Sequence, residues 1–279
     1  MPELPEVETI LRGLTPHIQG ATIDKAIVRT RQLRWPIPEL NAHIEQQTIL
    51  NVSRRGKYLL VRLKTGTILF HLGMSGRLCL LNEFKPPQRH DHVDIIFTNK
   101  QILRYTDPRR FGAILWTPDC PMQHPLLKNL GVEPLMEDFT CSYLLQRAAH
   151  RRKAIKPFIM DHKIVVGIGN IYAAESLFLA GIHPAMPVGL LTESQARRLI
   201  DVIKQVLARA ITQGGTTLKD FVNSEGRPGY FAQQLLVYGR GGLPCVTCGD
   251  TLQACVLGQR STVFCARCQP QSSRLVRSS

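Results

Sequence analysis

Four cysteines near the C-terminus constrain the fold of this chain more than any other feature. Cys245 and Cys248 form one C-x2-C pair, and Cys265 and Cys268 form a second pair after sixteen intervening residues. Each C-x2-C turn can present two thiolate sulfurs to one tetrahedral ion, and this spacing is typical of a structural zinc site. Disulfides are the alternative, but the acids and prolines at the N-terminus do not resemble an export signal. The pattern therefore predicts one structural Zn2+ ion in a small C-terminal finger.

The charge of the chain indicates what kind of partner it binds. Lysine and arginine number 35 against 21 acidic residues, which gives a net charge of +14 and an isoelectric point near 9.7. An excess of this size favours a polyanion, with nucleic acid ahead of an anionic membrane surface. No apolar run approaches the ~18 residues that a membrane-spanning helix needs. We therefore expect a cytoplasmic, nucleoid-associated protein with no membrane partner.

The first half of the sequence predicts one helix followed by short strands. Residues 6–15 have helical periodicity, with Pro5 near the start and apolar side chains on one face. Short β-rich runs separated by Gly, Pro, Asn or Asp follow at Tyr58–Leu63, Ile68–Leu72, Val93–Phe97, Gln101–Tyr105 and Ala113–Trp116. We expect a β-sandwich or barrel packed with the N-terminal helix.

The second half of the sequence is mainly helical after a linker around 125–140. Residues Thr192–Gln195 have the pattern of a capping box, and the apolar periodicity that follows stops at Gly214-Gly215. Residues 216–237 have no clear period, and a loop of that length in a compact domain is usually functional or mobile. The chain as a whole therefore belongs to the α+β class.

Pro2 is a candidate nucleophile. Removal of Met1, which we expect, would leave a secondary amine with a pKa of about 7.7–8.0, so that an appreciable fraction is neutral near pH 7. Such an amine can attack a carbonyl carbon, and the resulting iminium is a cationic electron sink that needs no proton. The alternative interpretation is a proline that only stiffens the entry to a helix.

Six motifs give the chain a close resemblance to the bacterial formamidopyrimidine-DNA glycosylase family, over residues 1–268. They occur in one order, ahead of or within the four-cysteine module: Pro2-Glu3-Leu4-Pro5-Glu6, Lys57-Tyr58-Leu59-Leu60, His71-Leu72-Gly73-Met74-Ser75-Gly76, Asp107-Pro108-Arg109-Arg110-Phe111-Gly112, Gly167-Ile168-Gly169-Asn170-Ile171-Tyr172 and Gln259-Arg260-Ser261-Thr262. Several of these motifs are uncommon elsewhere, so the resemblance is specific.

The resemblance implies a particular architecture and partner. It implies an N-terminal β-sandwich with flanking helices, a helix–two-turns–helix domain and a zinc finger β-hairpin, which clamp damaged double-stranded DNA. We place the catalytic domain at 1–130, the DNA-binding domain at 131–238 with a lesion-capping loop at 216–237, the finger at 239–269 and a tail at 270–279. We expect a monomer with one structural Zn2+ and no nucleotide cofactor, since the third glycine of a dinucleotide fingerprint is absent.

The resemblance also implies the reaction and the residues that perform it. The family removes 8-oxoguanine and formamidopyrimidines from DNA and then cleaves the strand. Pro2 would attack C1′ of the damaged nucleotide, and Glu3 would act as a proton donor. Lys57 would serve the β-elimination step. Arg260 would contact phosphate at the lesion and assist δ-elimination.

Three further groups of residues are implied to contact the DNA. The first group binds DNA and comprises His71, His90, Arg109, Arg151 and Asn170. The second fills the space that a flipped-out base leaves, and comprises Met74, Arg109 and Phe111. The third recognises the lesion base and comprises Glu6 and Lys156.

Two alternative functions stay open. An endonuclease VIII-like glycosylase would prefer oxidised pyrimidines, and Met74, Arg109 and Phe111 disfavour it because that branch has other residues there. A non-catalytic, zinc-dependent protein that binds damaged DNA is the second alternative. It would bind without strand cleavage, and a retained Met1 would favour it because an acylated Pro2 nitrogen cannot attack.

Overall fold

The computed structural model describes residues 2–215 and 235–271. These residues divide into two compact units, one of residues 2–129 with 211–215 and one of residues 130–210 with 235–271. The expected loop at 216–237 lies outside the described residues up to position 234, and the expected tail lies outside them from position 272. Within the described ranges, no helix is long and apolar enough to cross a membrane.

Helix α1 opens the first unit and spans Leu4–Ile18, which is longer at both ends than the predicted 6–15. Pro5 is tolerated in the first turn because a backbone N–H there has no intrahelical partner. Burial of each large apolar side chain stabilises the fold by roughly 1.5–3 kcal/mol. The buried stripe that holds the helix to the core consists of Leu4, Val7, Ile10, Leu14 and Ile18.

Two four-stranded antiparallel sheets form most of the first unit, with a short helix α2 (Leu40–Ile44) beside them. The first sheet has the order β1 (Ile23–Val28), β6 (Asp91–Phe97), β7 (Ile102–Thr106), β5 (Arg77–Leu81). The second has the order β2 (Asn51–Arg55), β3 (Tyr58–Arg62), β4 (Thr67–His71), β8 (Ala113–Thr117). Side chains of both sheets and of α1 share one hydrophobic core, which confirms the predicted β-sandwich.

The second unit is helical before its C-terminal finger. Its helices are α3 (Cys141–Ala148), α4 (Ile155–Ile159), α5 (Asn170–Leu179) and α6 (Glu193–Thr212), the last of which continues two residues into the first unit. A short 3-10 turn lies at Val188–Leu190, and another lies at Pro121–Gln123 near the end of the first unit's main segment. Thr192 and Gln195 form the predicted capping box, since Gln195 N donates to Thr192 Oγ1 at 3.3 Å and Thr192 N donates to Gln195 Oε1 at 3.1 Å.

The finger contains a β-hairpin of β9 (Gln253–Leu257) and β10 (Arg260–Phe264). Leu257 pairs with Arg260, so the connection has only two residues. Both of them, Gly258 and Gln259, have positive φ angles of 55° and 61°. A two-residue turn with two positive φ angles matches the right-handed twist of the strands that it joins.

Candidate functional site

The strand register of the first unit brings three segments to one end of its second sheet. Tyr58 pairs with His71, and His71 pairs with Ala113. The turn before β3, the loop after β4 and the loop before β8 therefore lie side by side. These segments carry four of the expected site residues: Lys57, Met74, Arg109 and Phe111.

Pro2 and Glu3 lie directly before α1, and both are buried. Glu3 is the N-cap residue and forms a capping box with Glu6, whose Oε2 accepts a hydrogen bond of 2.8 Å from the backbone N of Glu3. The positive end of the helix dipole favours two carboxyl groups at this position. Glu6 is only 1% exposed, so its carboxyl group fixes the backbone next to Pro2.

Arg54 connects helix α1 to the turn that carries Lys57. Its Nε donates to Glu8 at 2.9 Å and its Nη1 donates to the carbonyl of Gly56 at 2.9 Å. Burial by itself would raise the pKa of Glu8, but hydrogen bonds from Arg54 and Arg12 hold that pKa below its ordinary value. The guanidinium therefore fixes the position of the turn relative to the helix.

His71 ends β4 as a neutral imidazole. Its ring packs against Tyr58 with the centroids 4.8 Å apart, and its Nδ1 accepts a hydrogen bond of 3.1 Å from the backbone N of Gly73. Burial, with the positive charges of Lys57 and Arg34, lowers the pKa of His71 to about 4. A neutral ring whose Nδ1 accepts carries its proton on Nε2. His71 therefore offers an N–H donor that bears no positive charge.

The loops 72–76 and 107–112 border a cavity of about 570 Å3. Met74 and Phe111 line the cavity, and Phe111 is 47% exposed. The guanidinium carbon of Arg109 lies 4.8 Å from the centre of the Phe111 ring, within the range of a cation–π contact. A thioether, an exposed ring and a guanidinium side by side can stack on bases or wedge between them.

His90 lies beside the same loops. It is half-buried, and its ring centroid is 6.5 Å from that of His92. Its carbonyl accepts a hydrogen bond of 3.0 Å from the backbone N of Asp107. The expected residues of the first unit therefore lie at the start of α1, at one end of the second sheet and, for His90, against the loop 107–112.

In the second unit, Lys156 and Asn170 both bind strand β10. Nζ of Lys156 donates to the carbonyl of Ser261 at 3.0 Å and to Oγ1 of Thr262 at 2.7 Å. Nδ2 of Asn170, the first residue of α5, donates to the same Ser261 carbonyl at 3.1 Å. Lys156 is only 1% exposed. The two side chains therefore fix the strand that begins with Arg260.

Two expected DNA-contacting arginines of the second unit are exposed. Arg260 is the first residue of β10, directly after the two-residue hairpin turn. Arg151 lies between α3 and α4, with its guanidinium carbon 5.8 Å from the centre of the Phe158 ring. Exposure leaves both guanidinium groups accessible to phosphate.

The geometry of the four predicted metal ligands fits a tetrahedral zinc ion. Their sulfurs all lie within 4.8 Å of one another, with 3.4 Å between Cys248 and Cys265 and 3.9 Å between Cys245 and Cys268. Four thiolates at ~2.3 Å from one tetrahedral ion are about 3.8 Å apart. Backbone N–H groups of Thr247 and Cys268 also donate to these sulfurs, which stabilises thiolates.

Two buried carboxyl groups that no motif predicted as site residues organise these segments. Asp107 is 0% exposed and accepts a hydrogen bond of 2.6 Å from Ser75 Oγ. Glu175 is 2% exposed and accepts hydrogen bonds from three consecutive backbone nitrogens, at residues 236–238. Asp107 and Ser75 lie inside two of the family motifs, but an acidic residue in a sequence carries no sign that its partners are buried and neutral.

Three protein-family models match this chain. Residues 1–114 match the formamidopyrimidine-DNA glycosylase N-terminal domain, and residues 130–222 match the formamidopyrimidine-DNA glycosylase H2TH domain. Residues 242–271 match a zinc finger found in FPG and IleRS. Together the three matches cover most of the chain.

Individual proteins show the same similarity over nearly the full length. The formamidopyrimidine-DNA glycosylase of Photobacterium profundum is 56% identical over 270 residues, which are 96% of this chain and 100% of that protein. The Fpg of Lactococcus lactis in complex with DNA containing an abasic site has a TM-score of 0.88 at 34% identity, over 96% of this chain and 100% of that one. The wild-type Lactococcus lactis protein with DNA containing an oxidised pyrimidine gives a TM-score of 0.88 at 34% identity, over 97% and 100%.

Proposed function

Since the chain belongs to the formamidopyrimidine-DNA glycosylase family, we propose that it excises oxidised purines through an iminium on Pro2. The protein is a base-excision repair DNA glycosylase and abasic-site lyase that acts on damaged DNA, and it uses one structural zinc ion. The substrates are 8-oxoguanine and formamidopyrimidines in duplex DNA, so the protein would work at the nucleoid. The observation that carries the proposal is the buried Pro2–Glu3 pair at the positive end of α1.

The reaction begins when the Pro2 nitrogen, exposed by loss of Met1, attacks C1′. The new C–N bond forms as the bond from C1′ to the base breaks, and the base leaves with a proton. Glu3 donates a proton to the ring oxygen as the sugar opens, which leaves an iminium. Loss of a proton from C2′ then breaks the C3′–O bond and releases the 3′-phosphate, and a second elimination breaks the C5′–O bond and releases the 5′-phosphate.

Lys57 and His71 act beside this centre. The Lys57 ammonium is close enough to lower the pKa of His71, and Arg54 holds its turn against α1. We assign Lys57 the proton donation of β-elimination and His71 a hydrogen bond from Nε2–H to a phosphate oxygen. A neutral N–H group can donate to a phosphate oxygen, and the negative charge of the phosphate stays available to the Lys57 ammonium.

Met74, Arg109 and Phe111 fill the space of the everted nucleotide. An enzyme that works on a flipped base must compensate for lost stacking and pairing. The contact between Arg109 and Phe111 presents a flat, partly charged surface beside the Met74 thioether. Such a surface is suited to insertion between stacked bases rather than to packing inside a protein core.

Two arginines and one asparagine of the second unit bind the DNA backbone. Arg260, Arg151 and Asn170 are the proposed phosphate ligands there, with His90 and Arg109 contributing from the first unit. We also propose Arg260 as the residue that assists δ-elimination. The zinc ion holds the hairpin that presents Arg260, and its four thiolates leave no open coordination position for a water molecule. The domain boundaries 1–130, 131–238 and 239–269 stay a prediction.

Glu6 and Lys156 remain proposed contacts of the lesion base, together with the loop 216–237. Each already has a structural partner, since Glu6 caps α1 and Lys156 binds β10. Contact with a base therefore has to add to these bonds or replace them.

Borohydride trapping on a duplex containing 8-oxoguanine tests the proposal. Borohydride reduces an iminium to a stable amine, so protein whose N-terminus has been verified by mass should give a covalent adduct that maps to Pro2. The matched control is the same protein with Met1 retained, which should give no adduct because its Pro2 nitrogen is an amide.

The substrate decides between the alternatives. An adduct with an oxidised pyrimidine and none with 8-oxoguanine would favour the endonuclease VIII-like function. Binding to damaged DNA by protein that lacks Met1, without an adduct on either substrate, would contradict the proposed chemistry.

A further inference from the structure

A buried hydrogen-bond network joins the two loops that carry Met74, Arg109 and Phe111. Oδ1 of Asp107 accepts from Ser75 Oγ at 2.6 Å, and Ser75 Oγ accepts in turn from the backbone N of Arg109 at 3.1 Å. Oδ2 of Asp107 accepts from the backbone N of Gly112 at 2.8 Å. One carboxyl group therefore binds the residue after Met74 and the residue after Phe111.

Tyr105, on strand β7, completes the network. Its hydroxyl lies 3.3 Å from Asp107 Oδ2 and 3.4 Å from the carbonyl of His71, and these two acceptors share its one proton. Burial and the neighbouring Asp107 carboxylate raise the pKa of Tyr105 well above its ordinary value, so the hydroxyl keeps its proton. Asp107 and Tyr105 are 0% and 1% exposed, and Ser75 is 5% exposed.

The two loops also interlock sterically. A Cβ at Gly73 would collide with the backbone of Phe111 and Gly112, and a Cβ at Gly112 would collide with the Tyr105 hydroxyl. Arg110 adopts a φ of +55°, a conformation that non-glycine residues rarely take. Backbone in such a conformation persists only where its surroundings fix it. The geometry of loop 107–112 is therefore set in the free protein.

We propose that Asp107 and Ser75 are positioning residues that couple the two loops, so that Met74, Arg109 and Phe111 enter the DNA as one preformed unit. The inference rests on the proposed space-filling role of those three side chains. None of the network atoms needs to touch DNA. Loss of the Ser75 hydroxyl leaves Asp107 Oδ1 and the Arg109 N–H without this partner, and the two loops can then move independently.

The test compares Ser75→Ala with wild type on two substrates. The first is a duplex with a paired 8-oxoguanine, where a base must be everted and its space filled. The second is a single-stranded oligonucleotide with an abasic site, where no space has to be filled. We expect the excision rate on the duplex to fall about tenfold, the effect of one lost buried hydrogen bond. Borohydride trapping on the single strand should stay within about twofold of wild type.

A fluorescent base analogue beside the lesion gives a readout that a merely structural role would not move. Its signal should rise more slowly in Ser75→Ala, because insertion of the three side chains unstacks the neighbouring base. Thr67→Val is the matched control, since it removes a buried hydroxyl at the start of β4, the end of that strand away from the loop that carries Ser75. Asp107→Asn is the second variant, used if Ser75→Ala does not fold.

The outcomes separate this inference from the function on which it rests. Ser75→Ala that behaves like Thr67→Val on the duplex would overturn the coupling role. Met74→Ala that behaves like wild type on both substrates would overturn the space-filling role itself. Equal losses on the duplex and on the single strand would also count against coupling, because they indicate general damage to the site.

Discussion

His71 shows how a buried environment fixes the chemical form of a side chain. The unfolded chain protonates this histidine near its ordinary pKa of 6.5, whereas the folded chain does so only near a pKa of about 4. Between these values the unfolded state binds more protons, so the free energy of unfolding decreases as the pH falls. At neutral pH the ring is mostly uncharged in both states, so this histidine no longer lowers the free energy of unfolding.

The pH dependence of stability should therefore change when His71 is replaced. Between pH 7 and pH 4.5 the free energy of unfolding of the wild type should fall by about 2 kcal/mol more than that of His71→Asn. Urea unfolding followed by tryptophan fluorescence measures this, because Trp35 and Trp116, the two tryptophans of the sequence, both lie in the first unit. The exposed His17 provides the control variant His17→Asn. A wild type and His71→Asn with parallel pH profiles would contradict the buried neutral ring.

Sequence motifs named residues that the fold brings together, but they did not show which bonds hold those residues. The positions of Lys57, Met74, Arg109 and Phe111 follow from motifs that the strand register places at one end of a sheet. The capping bond of Glu6 to Glu3 is local, but the buried role of Lys156 could not be predicted, because its hydrogen-bond partners depend on packing. Ser261 lies 105 positions from Lys156 in the sequence, and no local pattern reports such a contact.

One buried carboxyl group links helix α5 to the segment that leads into the finger. Glu175, inside α5, accepts hydrogen bonds from the backbone nitrogens of Leu236, Val237 and Tyr238 at 2.8–3.0 Å. Burial raises the pKa of Glu175, although these hydrogen bonds oppose the shift. The segment that leads into the finger is therefore anchored to a helix by one carboxyl group.

Glu175→Gln should loosen this anchor. An amide NH2 in place of one carboxylate oxygen would face backbone N–H donors, and such a mismatch costs about 1–3 kcal/mol. We expect a lower melting temperature and faster zinc release to a chelating dye. Glu193→Gln, at an exposed ion pair with Arg197, is the control and should leave zinc release unchanged. Zinc release from Glu175→Gln at the wild-type rate would argue against the anchor.

The strands that the sequence did not predict share a physical reason. In β1 only Ile23 and Ala26 are buried, in β2 only Val52 is buried, and in β5 only Leu78 is buried. A strand that buries so few side chains has a weak hydrophobic alternation in its sequence. The strands that were predicted have three or more buried residues, as in β4 and β6. Burial on both faces leaves the continuous apolar signal that sequence reasoning detects.

The whole molecule combines a net charge of +14 with a metal-dependent finger. Positive charge spread over the chain draws any DNA towards it, and this attraction weakens with salt. A specific complex also needs phosphate ligands in fixed positions. In the second unit, Arg260 depends for its position on a hairpin that the zinc ligands flank on both sides.

Removal of zinc should therefore weaken specific binding to damaged DNA and leave the general electrostatic attraction to DNA in place. Zinc binding supplies about 10–16 kcal/mol of the free energy of folding in small zinc modules, so a four-thiolate finger that loses its ion loses most of its stability. We expect the chelated protein to bind an abasic-site duplex at least tenfold more weakly and to lose strand cleavage. Its tryptophan fluorescence should be unchanged, because both tryptophans lie in the first unit.

Two cysteine variants provide the controls. Cys248→Ser should reproduce the loss, whereas Cys255→Ser, on β9 outside the ligand set, should keep the metal. Metal-free protein with wild-type affinity for the abasic duplex would show that the finger does not position Arg260 for binding.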